Sequence, residues 1–219
     1  MTLAEAITQV HNGNQEGLRV LLSVTAPNLW VAVSMLCSAT VGARMTEVYR
    51  AAAQTTESLR APSDLRLWLC RTAYPLLLEQ PDLPLRQMGF SEAESYRRLV
   101  SGLPREERSV VLLLCNEGFS AAQAAEVLGI REIEVKRAMR RARMMLTQRV
   151  GQERAFAGAM VNTAWMLHQM TALREAQAQE SLLFEQVFEC VLTDTVFPES
   201  MPEPVHHTGF FQKLFRSRR

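Results

Sequence analysis

Glycine is sparse in this chain, 10 among 219 residues, and none of it builds a phosphate-cradling loop or a nucleophile elbow. The four cysteines, Cys37, Cys70, Cys115 and Cys190, are scattered without a CxxC pair, and no zinc motif accompanies them. Enzyme chemistry therefore lacks its parts, and neither a cofactor nor a metal is expected. With three of the cysteines inside apolar helical runs, the expectation is buried thiols in a reducing cytoplasm. An excess of charge of one sign is also missing. The formal net charge is +1, so any pull toward nucleic acid has to come from local clustering. Met1-Thr2-Leu3-Ala4-Glu5 lacks the basic start and apolar run of a signal peptide, and no uncharged apolar stretch is long enough to span a bilayer. The expectation is a cytoplasmic chain with no membrane span.

Strand-type alternation is nearly absent, and a period of 3.6 residues dominates. A hydrophobic fraction of 47% and a charged fraction of 21% suit a packed core. The fold class read from these patterns is all-α. It comprises two small helical domains joined by a proline-containing linker, the second with a helix-turn-helix, plus a helical C-terminal extension. Residues 1–79 form the first domain, with helices broken near Asn12-Gly13-Asn14 and near Ala26-Pro27. Ser63-Asp64 reads as an N-cap for a helix through Trp68, which Pro75 disturbs. The linker is 80–90, where Pro81 and Pro84 disfavour helix. Residues 91–150 form the second domain. In it Pro104 opens a helix with Glu106 and Glu107 in the first turn, and Gly118 closes it. A helical extension follows over 151–195. It carries Met160, Trp165, Met166, Met170 and Leu173, for which a core stripe is favoured over an interaction face. Residues 196–219 read as a flexible tail, where Phe210, Phe211 and the basic residues around them suit a partner groove, an anionic lipid or nucleic acid, and His206-His207 is too isolated to hold a metal.

Within the second domain, Ser120 and Gln123 have capping-box spacing, and Gly129 permits the left-handed turn that ends a short helix. The next helix, from about Arg131, collects Val135, Ala138, Met139, Ala142 and Met145 on one apolar stripe. Seven basic residues against Glu132 and Glu134 occupy 131–149. Lys136, Arg137, Arg140, Arg141 and Arg143 fall largely outside the stripe, which makes them the candidate DNA-binding residues: such a face neutralises phosphates and offers forks to guanine edges. A basic amphipathic helix also occurs on inert bundles. The order of cap, short helix, glycine turn and basic helix favours a helix-turn-helix.

Leu103–Leu146, LPREERSVVLLLCNEGFSAAQAAEVLGIREIEVKRAMRRARMML, resembles the promoter-reading C-terminal domain of bacterial extracytoplasmic-function sigma factors. Leu103-Pro104, Glu117-Gly118 with Ser120, Ala125-Glu126, Leu128-Gly129-Ile130, Val135-Lys136 and Arg141-Ala142-Arg143 carry the likeness, and LuxR-type response regulators share parts of it. The resemblance implies that Lys136, Arg137, Arg140 and Arg141 read the minus thirty-five element of double-stranded promoter DNA. The chain departs from the family at Arg131, Ile133 and Glu134, where small or hydroxyl residues are usual. Ser63–Tyr74 is similar to the helix that ends the family's polymerase-binding domain. Upstream of it, GARMTEVYRAA stands where acids usually dock on core RNA polymerase. Glu47 is the acid that remains there, and so the candidate polymerase contact. The resemblance implies a transcription-initiation factor. Two alternatives stay open: a sigma-like protein whose first domain binds an anti-sigma or other regulatory protein, and a stand-alone helix-turn-helix regulator.

Overall fold

The computed structural model describes residues 1–37, 41–79, 91–177 and 181–194. Every element among them is helical, so the fold is all-α. Helix α1, Leu3–His11, starts at Thr2 in a reciprocal cap with Glu5, and the chain turns over 12–14 as expected. Helix α2, Gln15–Leu36, is capped by Asn14 and runs straight through Pro27, where a break was expected. Proline removes the helical hydrogen bond that the Ser23 carbonyl would accept, and packing and side-chain bonds around it hold the helix together. The Thr25 and Tyr49 hydroxyls each donate to the Leu22 carbonyl at 3.1 Å, just ahead of the proline. Burial on several sides does the rest, since Leu18, Leu21, Leu22, Leu29, Val31 and Val33 are all nearly solvent-free.

By length and composition α2 is also apolar enough to cross a bilayer, although it is not the uncharged stretch that the sequence reading excluded. The sequence reading missed it because one glutamate, one arginine and a proline interrupt it. In the fold 72% of its most apolar window is buried among neighbouring helices, the position of a core helix.

Helix α3, Val41–Ala53, packs on α2 and on α4, Leu65–Leu78. The expected cap at Ser63-Asp64 is replaced by a 3-10 turn, Pro62–Asp64, and the Asp64 side chain makes no capping bond because it accepts from the Ser63 hydroxyl instead. Helix α4 continues past Pro75. Leu77 beyond it is buried, and its carbonyl is taken up by Arg105 Nη2 at 3.2 Å and the Cys37 thiol at 3.7 Å. Trp68 lies in the core and donates to the Thr55 carbonyl at 3.1 Å.

The second half begins at Ser91, whose hydroxyl caps α5, Glu92–Ser101. Helix α6, Arg105–Val111, follows Pro104 and widens into a π-helical turn over Leu112–Asn116. Helices α7, Ala121–Leu128, and α8, Glu132–Val150, come next. The expected linker over 80–90 and the tail over 196–219 lie outside the described residues.

The two halves are in direct contact. Asn28 and Asn116 exchange side chain-to-backbone bonds at 2.8 and 2.9 Å, and Arg108 Nη1 donates to the Met35 carbonyl at 2.9 Å. Arg97 lies over the Trp30 ring, 5.8 Å from its centroid. All of these groups except the Trp30 ring are polar and desolvated, so their worth lies in fixing one arrangement of the halves rather than in net stability.

The extension packs back onto both halves. Helix α9, Thr163–Gln177, buries Met166, Met170 and Leu173 against α2, α5 and the π turn. Trp165 meets Tyr96 and Phe156 edge-to-face, both at 5.4 Å. Met160, grouped with these by the sequence, is exposed instead. Helix α10, Ser181–Asp194, covers α2 and α3 with Phe184, Val187, Phe188, Val191 and Leu192. Each such side chain contributes about 1.5–3 kcal/mol of burial. The surface pairs of Arg19 with Glu185 and Glu189, and of Arg50 with Asp194, are worth about 0–1 kcal/mol each. Apolar contact therefore holds α10, and the ion pairs set its register. Cys37, Cys70 and Cys115 are buried as expected, while Cys190 is exposed because it lies on the outer face of α10.

Candidate nucleic-acid interface

Ser120 opens α7 in the expected reciprocal cap: Gln123 N–H donates to its hydroxyl at 3.2 Å, and its own N–H donates to Gln123 Oε1 at 3.0 Å. Ala124 is fully buried and Ala125 nearly so, which lets α7 approach α8 closely. Gly129 has φ +64°, a left-handed conformation that a side chain strains, and the Ile130 N–H returns to the Ala125 carbonyl at 3.1 Å to close the turn. The two helices thus form a helix-turn-helix whose geometry is written locally.

Arg131 sits at the cap of α8, where a hydroxyl residue would ordinarily supply the acceptor. Glu134 fills in from the next turn. Its carboxylate accepts from the Arg131 N–H and from the Arg131 guanidinium, both at 2.9 Å. The paired guanidinium holds the Glu134 carboxyl below its usual range. Glu134 is thus a cap residue, and its charge is matched before any phosphate approaches.

Val135, Ala138, Ala142, Leu146 and Val150 form the buried stripe of α8, while Met139 and Met145 flank it half-buried. Lys136, Arg137, Arg140 and Arg143 are exposed on the other side. Lys136 pairs with Glu132 at 2.5 Å, one turn back on the same helix. Arg137, Arg140 and Arg143 form no ion pair among the described residues. Arg141 differs from them. Its Nε meets Glu107 Oε1 at 2.5 Å and its Nη2 meets Glu106 Oε1 at 3.0 Å, so it clamps α8 to the first turn of α6. The Glu107 side chain is only 6% exposed. Four of the five candidate cations therefore share an outward face, and the fifth turns inward to an acidic partner.

Residues 93–146 match the family described as sigma-70, region 4. The match runs from the start of α5 into α8 and includes α7, the turn and α8 as far as Leu146, so this segment is sigma-factor-like and of a DNA-binding, transcriptional kind. A comparison with curated proteins returned no match. The region-4 segment holds each of the five candidate DNA-binding residues, and Glu47 lies outside it.

Glu47 is exposed on α3 and ion-paired with Arg44 one turn earlier. Beside it, Gly42 faces α10 so closely that an added Cβ would stand 2.9 Å from Leu183 Cδ1. Ala43 is exposed.

Sequence reasoning missed a buried polar knot where the region-4 segment meets α2, α4 and α9. Glu117, closing the π turn, accepts from Asn116 Nδ2 at 2.7 Å and from Asn28 Nδ2 at 3.2 Å. Arg174 of α9 donates to the Asn116 carbonyl at 2.7 Å, and Arg66 of α4 donates to the Glu117 carbonyl at 3.3 Å. Desolvation pushes the Glu117 carboxyl up to about 7 despite the two guanidinium groups, and the same burial pulls Arg174 below its ordinary value. Glu117-Gly118 is visible as a motif, but its partners lie far away in the chain and leave no local signal.

Proposed function

We infer that this protein binds double-stranded promoter DNA through α7 and α8, as a transcription-initiation factor of the sigma type. The observation that carries the reading is the pairing of a region-4 match with an outward cationic face. Among the described residues Arg137, Arg140 and Arg143 form no ion pair on that face, and Lys136 pairs with the exposed Glu132. Exposed guanidiniums on a recognition helix exchange counterions for phosphates and can fork guanine. Arg141 acts here as the brace that sets the angle of α8, while the other four make contact with DNA. In functional terms the chain divides as 1–79, 91–150 and 151–195, and its work lies in the cytoplasm with the DNA. The test is enrichment of specific duplexes from a random pool by the full chain. Enrichment of a common motif supports the reading, and retention of no duplex at low salt contradicts it.

Core RNA polymerase is the proposed partner of α3, with Glu47 as the acid that meets it. The covering of the Gly42 face by Leu183 favours a second reading, in which the first domain answers to its own extension or to a regulatory protein of the anti-sigma kind. Capture of core polymerase by the full chain, weakened by Glu47→Ala, supports the first. Capture only after removal of α10 supports the second.

A further inference from the structure

Ile133 stands in the first turn of α8 with 48% of its surface exposed, and Met144, further along the helix, is 67% exposed. Helical spacing puts both on the stripe opposite the buried Val135, Ala138, Ala142 and Leu146, in line with Arg137 and Arg140. An apolar side chain at the start of this stripe gains nothing within the chain, because the core lies on the other side of the helix. The first turn of a recognition helix is the part that enters the major groove deepest. The one apolar group that base pairs present there is the C5 methyl of thymine. Arg140 lies about 10 Å further along the axis, within reach of a neighbouring base or phosphate. Arg137 flanks Ile133 one turn away, and neither cation forms an ion pair among the described residues, so the surroundings of Ile133 fit a polyanion rather than an apolar protein groove.

We propose that Ile133 is a specificity-determining residue that selects thymine by packing against its methyl group in the major groove. The assignment rests on the DNA-binding reading above. It also accounts for the chain's own N-terminal arrangement of α8: with Glu134 engaged in the cap and Glu132 paired with Lys136, Ile133 is the side chain of that turn left for a base edge.

Deletion of a single methyl tests it. After duplexes have been enriched with the full chain, each thymine of the common motif is replaced in turn by deoxyuridine, which differs only in lacking that methyl. The expected result is about a threefold to fourfold loss of affinity at one thymine, the value of one buried methyl. Ile133→Ala, whose fold is checked by circular dichroism, should bind the thymine duplex about as weakly as the wild type binds the uracil duplex, and should not distinguish the two. Arg140→Ala should weaken both duplexes and keep their ratio. A wild type indifferent to every replacement, or an Ile133→Ala variant that retains the ratio, overturns the assignment while DNA binding stands. Failure to enrich any duplex overturns the DNA reading and the assignment with it.

Discussion

Arg140 projects from α8 and forms no ion pair among the described residues, whereas Arg141, one residue on, is held by Glu106 and Glu107. Their truncations should therefore be read out in different experiments. Arg140→Ala is expected to leave thermal stability unchanged and to weaken duplex binding, by about 1–3 kcal/mol if its fork meets a base. Arg141→Ala uncovers the buried Glu107 carboxylate. With Arg141 itself partly exposed, the expected loss is about 1–2 kcal/mol in urea unfolding. Arg141→Lys should recover only part of it, because an ammonium cannot span two carboxylates as a fork does. A loss of stability in the Arg140 variant, or none in the Arg141 variant, would reverse the roles assigned to the two side chains.

Helices α2, α4 and α9 meet at the Glu117 knot, and this makes their association pH-dependent. The Glu117 carboxyl titrates near 7 in the folded chain and near its ordinary value when unfolded, with Arg66 and Arg174 the cations that face it. The folded state therefore holds a proton that the unfolded state has lost between those two values. Stability contributed by this group is full below about pH 4.5 and declines by roughly 3 kcal/mol as pH rises to about 7. Denaturant midpoints taken across that range should show the decline, and Glu117→Gln should flatten it. Helix α10 bears on α3 in a way that also has a consequence. A carboxylate at Ala43 has room, whereas Gly42→Glu makes the tip of Leu183 turn aside and should raise amide exchange around Leu183 without improving polymerase capture. These long-range pairings were the part of the fold that sequence could not reveal. The caps at Ser91 and Ser120 and the turn at Gly129 were legible because each is settled by partners within a few residues. Pro27 and Pro75 misled because the groups that pack against and bond these stretches of α2 and α4, among them Tyr49, Arg105 and Cys37, are remote in sequence. The cationic face was legible from composition and period, but the inward turn of Arg141 depends on α6 and was not.

The described helices close on one another, with α9 wedged against both halves and α10 laid over α2 and α3. Truncation after Val150 would bare the surfaces now covered by Met166, Met170, Phe184 and Phe188. The shortened protein should aggregate or bind an apolar dye and, with the two halves no longer bridged, show higher non-specific affinity for DNA. A shortened protein that stays soluble with unchanged DNA affinity would make the extension an independent appendage. The central claim, that the outward cations of α8 carry DNA binding, is tested most directly by salt titration of duplex affinity in the full chain and its single alanine variants. The slope of log affinity against log salt should fall by about 0.9 for each of Arg137, Arg140 and Arg143 that meets a phosphate, and stay unchanged for Arg141→Ala. A slope that is the same in the wild type and all four variants would contradict the account.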